Sequence, residues 1–167
     1  MKKLGFTFRY RLPPELRGRN IPEDDPQKRY PFMPIHLYHE QKKTLLIEGL
    51  IDSGSDYLFI PKGIAEFLNL PIGKKEKING VCGSCNGIET KVGLILGRGG
   101  GNREMDYGYV KACFPEIERN TIILIGRTPI FEEYRVIFED YKKKFKLIPK
   151  EEILERKKKR SKTKWKF

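Results

Sequence analysis

Leu50-Ile51-Asp52-Ser53-Gly54-Ser55-Asp56 decides the reading of this chain, together with Ile122-Ile123-Leu124-Ile125-Gly126-Arg127 about seventy residues later. An apolar run that ends in Asp-Ser-Gly-Ser reads as a strand delivering a carboxylate onto a tight loop. That loop is rich in hydroxyls and backbone N–H donors. Gly54 lets the backbone come close to the carboxylate. The second segment reads as an apolar strand that packs behind the loop and braces it through its Gly-Arg end.

Outward from this pair the chain reads as short strands. Phe6 to Leu12 alternates Phe6, Phe8, Tyr10 and Leu12 against Thr7, Arg9 and Arg11, which is the period of a half-buried strand. Pro13 to Arg29 is proline-rich and charged, and reads as an exposed excursion. Phe32 to Tyr38 and Thr44 to Ile51 read as strands joined by the turn His39 to Lys43, and Tyr57 to Ile60 as a further short strand. Pro61 is placed to open a helix whose apolar face is Ile64, Phe67 and Leu68, and Asn69 and Pro71 to end it. Ile78 to Leu96 reads as a hairpin turning near Cys82 to Gly87, with Gly97 to Asn102 as a glycine-rich loop. That loop completes no dinucleotide fingerprint, because Asn102 stands where the third glycine belongs. Met105 to Phe114 and Ile122 to Ile125 return as strands. Thr128 can cap a helix with Pro129 as its first residue, running to about Tyr134. Val136 to Phe138 and Phe145 to Ile148 form a last hairpin. Many short strands with two brief helices predict an all-β, barrel-like domain.

The net charge of +12 on 167 residues is unevenly placed. Arg156 to Lys166 holds eight Lys or Arg and no acid, so the remainder carries +4. A like-charged block of this kind is expected to be a disordered, solvated tail. With Trp165 and Phe167 it also has the make-up of an electrostatic arm, and weak binding of nucleic acid or other polyanions is the partner expectation it carries. No apolar run approaches the ~20 residues of a membrane helix, and no signal-peptide core follows the basic N-terminus, so no membrane partner is expected. Three cysteines imply no disulfide framework, and a cytoplasmic setting is the simplest expectation.

The ordered set of an apolar strand into Asp52-Ser53-Gly54-Ser55, a glycine-containing hairpin about thirty residues on, and apolar-Gly-Arg before a short helix resembles the retropepsin-like aspartic proteases. The resemblance covers roughly Phe32 to Pro149. It implies a retropepsin-like closed barrel with two short helices, a flap hairpin and a basic tail. The organisation expected is an N-terminal strand and extension over 1–31, a protease domain over 32–149 and a tail over 150–167. It implies that Asp52 is catalytic and that Ser53, Gly54 and Ser55 form the active-site loop. Ser53 would reach across a dimer axis, and Ser55 can donate to the ionised carboxylate. Asp56 and Arg127 match positions that form an ion pair beside the site, and Gly80, Val81, Cys82, Gly83, Ser84 and Cys85 match the flap. Gly80, Gly83 and Gly87 would be its hinges. One such turn per chain implies a homodimer that brings two copies of Asp52 together on a peptide or unfolded-protein substrate, with no cofactor and no metal.

Bland readings stand beside these. Asp52 can be an ordinary turn residue or an inactive relic, Ser53 a plain turn serine, and Asp56 and Arg127 two separately solvated charges. Cys82 and Cys85 can be reduced thiols, a redox pair or half of a zinc site, whose remaining candidates Cys113, His36 and His39 are distant in sequence. The rival function is a catalytically inactive interaction module whose tail binds nucleic acid or an acidic partner. About thirty residues before the first matching strand, and a hairpin and tail after the last, depart from the retroviral pattern, so the dimer could be built differently.

Overall fold

The computed structural model describes residues 5–17, 28–80, 83–97, 104–118 and 122–155. Contacts divide the chain into two units, Phe32–Glu132 and Met1–Pro31 with Glu133–Phe167.

In the first unit the strands are β2 (Phe32–His39), β3 (Lys42–Lys43), β4 (Ile47–Ile51), β5 (Leu58–Phe59), β6 (Lys75–Gly80), β7 (Gly83–Gly97), β8 (Glu104–Pro115) and β9 (Ile123–Ile125). They form one sheet in the order β3-β2-β4-β9-β5-β8-β7-β6. A further pairing of β2 with β7, through Ile35 with Leu96 and Leu37 with Leu94, closes β2, β4, β9, β5, β8 and β7 into a barrel. Ile35, Leu37, Leu58, Val92, Leu94, Leu96, Ala112 and Ile125 are fully buried inside it. Each large aliphatic side chain buried in this way contributes about 1.5–3 kcal/mol of transfer free energy. The decisive topological feature is β9. It lies between β4 and β5, parallel to β4 with Ile51 opposite Ile125, and antiparallel to β5 with Leu58 opposite Ile125. The two strands that flank the Asp52 turn are thus held apart by the apolar strand that the sequence places behind it. The architecture is thus mostly β, a closed six-stranded barrel with few short helices, as the sequence predicts.

Helix α1 (Lys62–Leu68) starts one residue later than expected, with Pro61 as its N-cap. Asn69 ends it in the left-handed conformation at φ 54°. Its buried face is Ala65 and Leu68. Phe67, expected on that face, is 55% exposed and lies beneath the ammonium of Lys42, which also donates to its carbonyl. The second expected helix is a wide turn over Arg127–Phe131. Thr128 stays extended there, before a cis bond to Pro129, and its hydroxyl donates to Glu132 at 2.8 Å instead of capping the backbone.

In the second unit β1 (Phe6–Arg9) pairs with β11 (Lys144–Pro149), which pairs with β10 (Tyr134–Glu139). The last hairpin therefore forms its sheet with the N-terminal strand. Phe6, Tyr10, Tyr134, Phe145 and Leu147 are buried here, while Phe8 and Leu12, which the alternation also placed inward, are half-buried. The strand predicted to reach Leu12 ends at Arg9, and Arg11 instead makes a two-way bridge with Tyr30. Pro13, expected in an exposed excursion, is buried, and Pro14–Leu16 forms a 3-10 turn. The expected tail begins with a helical segment over 150–155, and the remainder from 156 lies outside the described residues. No helix among the described residues is long and apolar enough to cross a membrane.

Candidate active site

Strand β4 ends at Ile51 and hands the chain to Asp52, whose own N–H donates to the carbonyl of Ile125 on β9 at 3.0 Å. The turn that follows is closed by Ser55 N–H on the Asp52 carbonyl at 3.3 Å. Gly54 N–H donates to Oδ1 of Asp52 at 2.9 Å, so one carboxylate oxygen is oriented by the loop's own backbone. The far side of the loop is pinned in the same way. Arg127 N–H donates to the Ser55 carbonyl at 2.8 Å, and Thr128 N–H to the Asp56 carbonyl at 3.0 Å.

Gly126 sits at the centre of this cradle. A Cβ there would meet the Ser55 carbonyl oxygen at 2.6 Å and press on the carbonyl oxygen of Tyr57. Only a glycine lets the strand end pass that close beneath the turn. The guanidinium of Arg127 forms an ion pair with Asp56, and both side chains are 60% exposed.

Ser55 departs from expectation. Its hydroxyl donates to the Tyr57 carbonyl at 2.9 Å, across the turn and not toward the carboxylate. The Asp52 carboxylate takes its loop donor from Gly54 instead. Ser53 and Gly54 are exposed, and Asp52 is half-buried.

The hairpin β6–β7 turns earlier than expected. Gly80 pairs with Gly83 and Asn79 with Ser84, while Val81 and Cys82 lie outside the described residues. Gly87 is a strand residue rather than a hinge. It lies opposite Glu76 on β6 and Pro115 on β8, and a Cβ there would press on Ile78 and meet the thiol of Cys113 at 2.6 Å. Cys113 itself is buried, and its thiol donates to the Phe114 carbonyl at 3.9 Å. Among the described residues no group of three or more His, Cys, Asp or Glu is placed to hold a metal ion.

Two charge clusters on this hairpin were not legible beforehand. Lys75 on β6 pairs with Glu116 beyond β8, and Asn86 Nδ2 on β7 donates to the same carboxylate at 3.3 Å. The hydrogen bond from Lys75, then that from Asn86, hold the Glu116 carboxyl below the usual carboxylate range. Lys111 on β8 reaches Glu89 at 3.2 Å and Glu76 at 3.7 Å, and its ammonium lies 4.2 Å from the ring centre of Tyr57. Desolvation alone would lower its pKa, but the hydrogen bonds to Glu89 and Tyr57 and the charges of Glu76 and Glu89 outweigh it and raise it. Lys111 thus joins the hairpin stem to the residue that follows the Asp52 turn.

Among solved structures the chain is similar to EIAV protease complexed with the inhibitor HBY-793, at 17% identity over 62% of this chain and 86% of that chain, with a TM-score of 0.42. It is also similar to a retropepsin-like aspartic protease from Rickettsia conorii, at 12% identity over 88% of this chain and 96% of that one, with a TM-score of 0.45. No family model matches the sequence, and no curated protein does.

Proposed function

We propose that this protein is an aspartic endopeptidase that hydrolyses peptides or unfolded proteins at a dyad of two Asp52 carboxylates, one from each chain of a homodimer. The observation that carries the reading is the setting of Asp52. A half-buried carboxylate stands at the end of a barrel strand, oriented by Gly54 N–H and seated on β9.

Two such carboxylates facing each other cannot both ionise, so they share a proton and titrate as a pair. The ionised member takes a proton from water as the water oxygen attacks the peptide carbonyl. The protonated member gives its proton to the carbonyl oxygen. As the tetrahedral intermediate collapses, the C–N bond breaks, the leaving nitrogen takes a proton from one carboxyl, and the ionised carboxylate takes one from a hydroxyl of the intermediate, which restores the singly protonated dyad. Water is the only co-substrate. Ser53, exposed beside Asp52, is proposed to brace one loop against its partner, and the β6–β7 hairpin to cover the bound peptide.

The test is cleavage of a denatured protein by wild type and Asp52→Asn. Asn is nearly isosteric and cannot exchange the proton, so the variant should be inactive yet folded. Residual turnover within about tenfold of wild type, only ~1.4 kcal/mol of transition-state stabilisation, would refute the role. Activity per chain should also fall on dilution below the dimer constant. Undiminished specific activity in a demonstrated monomer would refute the shared dyad.

A further inference from the structure

Lys111 stands on β8 and meets three other pieces of chain. Its ammonium reaches Glu89 on β7 at 3.2 Å and Glu76 on β6 at 3.7 Å. It also lies 4.2 Å from the ring centre of Tyr57, inside the roughly 6 Å over which an aromatic face attracts a cation. The register explains this meeting. Lys111 precedes Ala112 as Tyr57 precedes Leu58, and Ala112 and Leu58 lie opposite each other in the parallel pair of β8 with β5. Glu89 pairs with Cys113, so it reaches Lys111 on the diagonal. Glu76 pairs with Gly87, one strand further out. Directly opposite Lys111 is another cation, the exposed Lys91. Like charges so placed are unfavourable, so Lys111 is held by its flanks and not by its cross-strand partner.

Two of the three contacts belong to the β6–β7 hairpin and the third to the cradle. The Tyr57 carbonyl accepts the Ser55 hydroxyl at 2.9 Å, and Gly126 passes close to it. The backbone of Tyr57 is thereby fixed to the Asp52 turn, while its ring carries the ammonium that grips the hairpin. As a source of stability this tie is weak, because Lys111, Glu76 and Glu89 are all partly exposed. Its consequence is geometric: it joins both strands of the hairpin to the loop that holds the carboxylate.

We propose that Lys111 is a positioning residue, which ties the β6–β7 hairpin to the Asp52 turn through Tyr57 and so sets how firmly the hairpin holds a peptide. The last part rests on the peptidase reading of Asp52.

The experiment compares wild type with Lys111→Met, Lys111→Arg, Tyr57→Leu, the double variant Lys111→Met/Tyr57→Leu, and Lys91→Met. It measures kcat and KM on one peptide, the melting temperature, and amide hydrogen exchange in β6 relative to Ile123–Ile125. Lys111→Met should raise KM about fivefold or more while kcat stays within about twofold, the pattern of lost binding rather than lost chemistry. Its melting temperature should stay within about 3 °C of wild type, since partly exposed pairs stabilise little. Lys111→Arg should recover most of the loss, because a guanidinium also pairs with carboxylates and stacks on a ring. Tyr57→Leu should raise KM in the same way, and the double variant should be little worse than either single one, as expected of two groups in one tie. Exchange in β6 should quicken about fivefold in Lys111→Met relative to β9. Lys91→Met, which removes the neighbouring cation alone, should leave KM within about twofold of wild type. An unchanged KM in an active Lys111→Met, a fall in kcat alone, effects that multiply in the double variant, or an equal rise of KM in Lys91→Met would each overturn the proposal. A wild type that cleaves nothing would overturn the peptidase reading instead. The tie is then judged by exchange alone: faster exchange in β6 supports it and unchanged exchange overturns it.

Discussion

The cradle under Asp52 and the stem of the β6–β7 hairpin are held together by different forces. The cradle is made of backbone hydrogen bonds from Asp52, Arg127 and Thr128, set over buried Ile51, Leu58 and Ile125. None of those bonds titrates. The stem adds to its own ladder two clusters of partly exposed charges, Lys75 with Glu116 and Lys111 with Glu76 and Glu89. Exposed pairs contribute little each, and salt screens them. The difference teaches where each region can move. The carboxylate proposed to meet its counterpart across a dimer is placed by contacts indifferent to pH and ionic strength. A hairpin proposed to open and close is tied by contacts that respond to both.

The comparison breaks most visibly at Gly126. A Cβ there meets backbone carbonyls of Ser55 and Tyr57, which cannot rotate away. Gly126→Ala should therefore cost about 3 kcal/mol or more, at the upper end of overpacking effects. For a chain of this size that is a fall in melting temperature of roughly 6–12 °C. Gly49→Ala is the control. Its Cβ meets the side chains of Ile123 and Ile125, which can shift, so its cost should be smaller. If the two variants melt alike, the cradle is not built on the close approach at Gly126.

Ser55→Ala is the next effect in size. It removes a partly buried hydrogen bond to the Tyr57 carbonyl and should cost about 1 kcal/mol. Because the hydroxyl points away from the Asp52 carboxylate, the acidic limb of the activity profile should stay where it is in wild type. An upward movement of that limb would mean that Ser55 turns to the carboxylate during the proposed reaction.

Arg127→Lys should cost less still, under about 1 kcal/mol, since both members of its pair with Asp56 are 60% exposed. The backbone bonds of Arg127 and Thr128 to the loop survive the substitution. A loss of several degrees in the melting temperature would show that the forked side-chain contact, and not the backbone, carries the brace.

What could be read from the sequence follows the same division. The Asp52 turn and its brace were legible because they rest on order along the chain, a strand into Asp-Ser-Gly-Ser and a later apolar strand into Gly-Arg. The direction of Ser55 was not, because a short hydroxyl in a turn can bond to the carboxylate or to a carbonyl two residues on. Phe67 misled because a helix of seven residues makes barely two turns, and Ile64, Phe67 and Leu68 satisfy a helical spacing whichever of them faces inward. Gly87 reads as a hinge in the sequence because a cluster of glycines does not reveal which of them lies in a strand. Its true neighbours, Ile78 and Cys113, come from the register of three strands. Lys75 and Glu116 were equally hidden. In sequence they are two charges 41 positions apart, indistinguishable from solvated ones.

That same pair yields the smallest predicted effect and the sharpest test of the contrast. The hydrogen bond from Lys75 lowers the Glu116 carboxyl below its unfolded value. A carboxylate lowered in this way contributes stability above the unfolded value, and loses it as pH falls through the folded one. Acid should therefore loosen the stem where β6 and β7 meet Glu116, while leaving β9 unaffected. The loosening should be small, because the Glu116 N–H to the Asn86 carbonyl, at 3.0 Å, does not titrate. The measurement is amide hydrogen exchange, corrected for intrinsic rates, near Lys75 and Asn86 and along Ile123–Ile125. It is made at neutral pH and again below the ordinary carboxylate value of about 4.3. Protection near Lys75 and Asn86 should drop relative to that of β9. Glu116→Gln should remove the pH dependence, holding the stem at its acid level throughout. If β9 loses protection in step with the stem, or if the Gln variant keeps the full pH response, the stem is not tied by this carboxylate and the contrast between the two regions fails.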